Sequence, residues 1–233
     1  MRTASFRYHG RLNQLIPDAS GRERTFRFFL KPSLKDAIES MGIPHVEVGA
    51  VLVNGQPGSL GDSLMPDDRV EVFPSTGGPA GGVGPRFLAD NHLGKLVKEL
   101  RILGLDTRYH ETSDTSELIR TSLAEQRILL TRSLQVLKFG ALKEGYMVRS
   151  EEPKVQVREV IGRYDLKQHF RPFTRCLVCN GVIAPVSRSD VLSEVPPLTA
   201  RFFDAFFRCS SCLKVYWKGS HYTRMLEFLA QLD

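Results

Sequence analysis

Apolar residues recur along this chain in two rhythms, and the alternation between them marks out its elements. Ala4–His9 and Thr25–Leu30 read as strands. From Ser33 to Gly42, the apolar Leu34, Ile38 and Met41 share one helical face, between an N-capping serine and a glycine stop. Val51–Val53 runs into an Asn54-Gly55 turn, and Asp68–Phe73 alternates as a closing strand. Strand, strand, helix, strand, strand predicts a small α+β roll.

Residues 74–85 are rich in glycine and proline, which cannot pack a core, so the segment reads as a linker. It separates a domain at 1–75 from a larger one at 86–233, with the linker proper at 76–85. Beyond it the pattern changes. Arg86–Asp90 is a short strand ending in an acid. Leu93, Leu96, Val97, Leu100 and Leu103 then mark an amphipathic helix that stops at Gly104. Strands are expected at 106–109, 127–131 and 145–149, with helices opening at Asp114–Glu117 and over 155–166. Alternating β and α predicts a parallel sheet with helices on both faces, where ligands bind beyond the carboxyl ends of the strands.

Composition narrows the classes. Hydrophobic residues make up 42% and charged residues 25%, which is ordinary for a folded domain. No run of about 18 apolar residues occurs, so no membrane span is expected. The first ten residues carry no apolar signal segment, and the cysteine usage suits a reducing compartment, so a cytoplasmic location is expected. The net charge of +6 is uneven: residues 1–85 hold nine basic and nine acidic side chains, whereas 86–233 hold 23 and 17. A basic second half favours a polyanionic partner such as RNA or DNA, or else is simply a solvated face.

The four cysteines stand in two pairs, Cys176/Cys179 and Cys209/Cys212. Two C-x-x-C turns brought together by the intervening chain are the spacing of a tetrahedral structural zinc site, and a disulfide pair and an unligated thiol set are the alternatives. A closed four-thiolate site holds a fold and does no chemistry, so catalysis must be sought elsewhere. Asp90, at the carboxyl end of an inner strand, is either a metal ligand or the N-cap of the following helix. Asp114 and Glu117 are metal ligands or a capping box. Asp106, at a strand start, reads as structural. Tyr216 and Trp217 either stack on bases or form the miniature core of the zinc site. Arg171, Arg175, Arg201, Arg208, Lys214 and Lys218 are phosphate contacts or a solvated basic face. His221 is a metal ligand, a phosphate contact or simply the N-terminal residue of a last helix, with Ser220 as that helix's expected cap and Met225, Leu226, Phe228 and Leu229 expected to pack inward.

Two resemblances sharpen this reading. The first 75 residues resemble the ubiquitin-like β-grasp modules related to bacterial sulfur carriers. A carrier needs a free terminal glycine carboxylate, but 155 residues follow Gly77-Gly78, so the pair reads as linker. Farther on stand Phe87–Asp90, Leu93–Leu96, Leu100–Thr107, Ser113–Leu118, Arg127–Arg132, Arg175–Gly181 and Val215–His221. Together these resemble the PIN-like RNase domain of the "Mut-seven C-terminal" family, with a zinc ribbon inserted at about 174–218. Some bacterial members of that family carry a ubiquitin-like domain in front.

The resemblance implies an α/β PIN-like three-layer fold and a magnesium- or manganese-dependent ribonuclease, with its acidic positions at Asp90 and Asp114 and assistance from Glu117. It also implies an RNA partner, contacted through Arg171, Arg175, Arg208, Lys214 and Lys218. The family usually has Thr-Arg-Asp where this chain has Thr131-Arg132-Ser133. A serine hydroxyl brings no negative charge to a magnesium site. The alternative is therefore an RNA-binding protein that keeps the fold without turnover, with the β-grasp domain as a protein-docking module.

Overall fold

The structure is a computed structural model that describes residues 1–16, 23–76, 84–112 and 114–232. Most of the linker, including Gly77 and Gly78, lies outside the described residues, as does Ser113.

The first module forms as its alternation predicts. Strands β1 (Arg2–Tyr8) and β2 (Arg24–Phe28) pair antiparallel. Helix α1 (Leu34–Ser40) follows, and Ser33 Oγ caps it by accepting the Asp36 N–H at 3.0 Å. Strands β3 (Val48–Val53), β4 (Gln56–Gly58) and β5 (Arg69–Pro74) complete a sheet of order β2-β1-β5-β3-β4, with β5 parallel to β1 at its centre. Phe6, Leu12, Ile38, Leu64 and Val72 are fully buried between sheet and helix. Because β-strand side chains alternate, Ala4, Phe6 and Tyr8 all enter this core. The strand expected at 25–30 ends two residues early, leaving Phe29 and Leu30 exposed.

Beyond the linker, strands and helices alternate. Strand β6 (Phe87–Ala89), α2 (Gly94–Ile102) and β7 (Thr107–Tyr109) form a right-sized β-α-β unit whose strands pair in parallel, Phe87 opposite Thr107. Next come α3 (Thr115–Glu125), β8 (Ile128–Thr131), α4 (Leu134–Leu137) and β9 (Gly145–Met147), with β8 parallel to β9. Helix α5 (Pro153–Tyr164) packs on α2. Strand β10 (Ile183–Val186), α6 (Pro197–Phe202), β11 (Phe206–Cys209) and β12 (Val215–Trp217) build an antiparallel three-stranded sheet, and α7 (Ser220–Ala230) closes the description. Among the described residues no helix is long and apolar enough to cross a membrane.

By its internal contacts the chain divides into two compact units. The first joins residues 1–78 to 113–148, and the second joins 79–112 to 149–233. The β-grasp module therefore shares a unit with α3, β8, α4 and β9. A short 3-10 turn at His45–Glu47 makes the join. His45 Nε2 donates to the Leu142 carbonyl at 2.9 Å, and Lys138 Nζ donates to the Glu39 carbonyl. Glu47, fully buried, accepts the Met147 N–H at 2.9 Å and lies 3.3 Å from Arg11 Nε.

In the second unit, Gly104 ends α2 with φ +83°. A Cβ there would lie 1.9 Å from the Arg171 carbonyl oxygen, so only glycine lets the 171–173 segment lie against the helix end. Arg171 and Phe173 donate their N–H groups to the carbonyls of Leu103 and Ile102. Helix α7 departs from expectation. Gly219 occupies the N-cap position, Ser220 is the first helical residue, and no side chain caps the end. None of its residues is fully buried: Met225, Phe228 and Leu229 are half-buried, whereas Leu226, also expected to pack inward, is exposed.

Candidate metal centre and acidic site

The two C-x-x-C turns are built alike. Asn180 N–H donates to the Cys176 carbonyl and Leu213 N–H to the Cys209 carbonyl, each four residues on, and both Asn180 and Leu213 turn with positive φ. This repeated turn aims two thiols from each knuckle at one point. All four Sγ atoms lie within 4.8 Å of one another, with Cys176–Cys212 at 3.5 Å and Cys179–Cys209 at 3.4 Å. Four thiolates about 2.3 Å from zinc sit about 3.8 Å apart, so the cluster fits the ion. The cysteines are free, and a Cβ on Gly181 would come 2.8 Å from Cys209 Sγ, so a small residue is needed for closure.

Groups around the cluster hold it in place. Tyr216 hydroxyl lies 3.0 Å from Cys176 Sγ and accepts the Leu177 N–H at 3.2 Å, which leaves its proton for the sulfur. Burial pushes the Cys176 thiol up, but the Tyr216 hydroxyl and the N–H groups of Cys179 and Val178 outweigh it and bring it down to about 6. Cys179 moves the other way, raised by desolvation first and by its neighbouring sulfurs. Arg101, buried, donates to the carbonyls of Thr107, Leu177 and Val178, tying the first knuckle to β7. Asn180 bridges the same elements, donating to Asp106 Oδ1 at 2.7 Å and accepting the Thr107 N–H at 3.0 Å. The sequence reading of Asp106 as structural agrees with this placement.

Asp90 stands just past β6, 5% exposed. It does not cap α2: Leu93 holds that position, and Asp90 Oδ1 accepts the His92 N–H at 2.9 Å in a tight Asx turn. His92 Nδ1 lies 3.4 Å from the same oxygen. Asp114, in the first unit, is the N-cap of α3 and accepts from Ser116 and Glu117 N–H groups at 2.8 and 3.4 Å. Glu117 lies in the first turn of that helix. Ser133 occupies the N-cap position of α4 without a side-chain cap, its N–H donated to Thr131 Oγ1. Among the described residues, the cysteines are the one group of three or more metal-donor side chains gathered together.

The basic candidates separate into two kinds. Arg175 pairs with Asp106 at 3.5 Å and donates to the Asn180 carbonyl, and Arg208 pairs with Glu194 at 2.6 Å. Arg171, Lys214 and Lys218 are exposed, and Arg171 donates to the nearby Phe170 carbonyl. Arg201 is exposed beside the Phe202 ring, and His221 is exposed in the first turn of α7. What the sequence reading missed is the Tyr216 hydroxyl. A tyrosine in the middle of a three-residue ribbon strand gives no signal of which sulfur it will reach.

Comparison with known proteins assigns the two parts separately. Residues 85–229 match the Mut7-C RNAse domain, and residues 1–78 match the Mut7-C ubiquitin domain. No curated protein matches the chain. A solved structure from Pyrococcus furiosus, named for subunit 1 of a molybdopterin converting factor, matches with 22% identity over 33% of this chain and 100% of its own, at a TM-score of 0.26.

Proposed function

Because the chain belongs to the Mut7-C RNase domain family, we propose that it is a metal-dependent ribonuclease of the PIN type acting on RNA phosphodiesters. The observation that carries this reading is Asp90. A nearly buried carboxylate at the carboxyl end of a buried strand, turned by an Asx turn and not used as a helix cap, sits where α/β sheets bind ligands. Asp90 and Asp114 would hold magnesium or manganese, with Glu117 assisting. A bound divalent ion of this kind clamps the scissile phosphate and activates water. Arg171, Lys214 and Lys218 offer exposed charge to the RNA backbone, while Arg175 and Arg208 shape the surface they stand on.

Ser133 favours a second reading, an RNA-binding protein without turnover whose β-grasp domain docks a protein. The hydroxyl supplies no charge where the family has an acid. RNA cleavage by the full chain with added manganese or magnesium, beside Asp90→Asn, separates the two. Cleavage that disappears in Asp90→Asn supports the enzyme. RNA binding without cleavage, with cleavage gained in Ser133→Asp, supports the second reading.

A further inference from the structure

In the second unit the 172–175 segment, the ribbon strands and the start of α7 enclose a cavity of about 370 Å³. That size is within the range of small-ligand pockets. Its walls are mainly apolar, and five rings stand among them: Phe173, Phe207, Tyr216, Trp217 and Tyr222. Its charged residues are Lys218 and the Asp106-paired Arg175, and among the described residues no carboxylate lines it. Such a lining is complementary to a flat, π-rich, anionic ligand.

Three details define the geometry of this wall. Phe173 adopts φ +64°, a left-handed conformation that bulky residues rarely take, and it keeps its ring 4.7 Å from Tyr222. Lys218 Nζ stands over the Tyr222 ring at 5.7 Å. Trp217 packs against the small ribbon core of Val191, Val195 and Phe206 while also lining the cavity, and its indole N–H has no acceptor among the described residues. Tyr216 joins the pocket to the cysteine cluster, because its ring lines the wall and its hydroxyl meets Cys176 Sγ.

We propose that this cavity receives one unpaired nucleobase of single-stranded RNA, stacked among the rings, with the adjoining phosphate at Lys218. The inference rests on the RNA reading above and adds a binding site apart from the acidic residues, none of which lines the cavity. The four-cysteine ribbon thereby acts as the support of a base-binding wall.

Trp217 is the chain's single tryptophan, so its emission reports the pocket directly. The test titrates the full, zinc-loaded chain with an oligouridylate of about eight nucleotides, following Trp217 emission and, in parallel, the anisotropy of labelled RNA. Saturable quenching is expected, absent with duplex RNA of the same length and with inorganic polyphosphate. Tyr222→Ala is expected to weaken binding about 5- to 100-fold at unchanged zinc content. RNA binding by anisotropy with unchanged Trp217 emission would overturn the pocket and leave the RNA reading standing. Quenching by polyphosphate alone would overturn it too, since charge and not a base would then be recognised. Absence of any RNA binding would remove both. The wild-type quenching decides the matter even if Tyr222→Ala fails to fold.

Discussion

The β-grasp module and the ribbon are both small β structures, yet they are held by different physics. In the first, a sheet and one helix enclose Phe6, Leu12, Ile38, Leu64 and Val72, all fully buried. In the second, the buried apolar cluster is only Val191, Val195 and Phe206, and four thiols sit where a core would be. One region is stabilised by apolar area removed from water, and the other by ligand bonds that exist only when a metal is present. Two small sheets thus have opposite sensitivities.

Removing the metal probes that contrast most strongly. Structural zinc contributes about 10–16 kcal/mol of apparent binding energy in small zinc domains. Chelation, or Cys209→Ser, is expected to abolish stoichiometric zinc and shift Trp217 emission to the red, with the β-grasp core still folded by circular dichroism. A ribbon that kept its Trp217 emission without metal would mean that its small core suffices. The converse perturbation is Phe6→Ala, expected to cost about 3–5 kcal/mol. It should lower the urea midpoint of the first unit while zinc content stays at one ion per chain.

What was readable in advance follows the same division. The strands and α1 of the first module were legible because a period of two and a capping serine are local signals, and the ribbon because cysteine spacing is one. Asp90 was only half legible. Its position at a strand end could be seen, but Asn91 and His92 turn the chain before α2 begins, and that Asx turn depends on a backbone path no periodicity reports. The Tyr216–Cys176 contact spans 40 positions and the grip of Glu47 on Met147 spans 100. Neither leaves a mark in local pattern. On α7 only Leu226 departs from the expectation of inward packing, because apolar spacing shows a face, not what covers it.

The smallest expected effect sharpens the comparison within the second unit, away from the metal. Glu99 Oε2 is buried without a hydrogen-bond partner among the described residues, and burial first of all raises its carboxyl above the ordinary 4.5, against the lowering influence of Lys154 and Lys95. A raised folded value means that its contribution to stability is complete below 4.5 and is lost as pH rises through the folded value. Glu99→Gln should therefore increase the urea midpoint at pH 7, with the gain shrinking toward pH 4. Equal midpoints for both proteins at pH 7 would show that water reaches the carboxylate.

The turn at His45–Glu47 has a consequence for how such genes can be rearranged. A linker rich in glycine and proline reads as a natural cut point, and the two family segments meet there. Yet severing the chain at that linker would strip the Leu142 carbonyl and the Met147 N–H of the partners that His45 and Glu47 provide. The second half would inherit two raw backbone groups and an uncovered strand. Descendants that lost the leading module would have to replace those contacts, so the pair is expected to travel through evolution fused, or to separate only after residues 142–147 have changed.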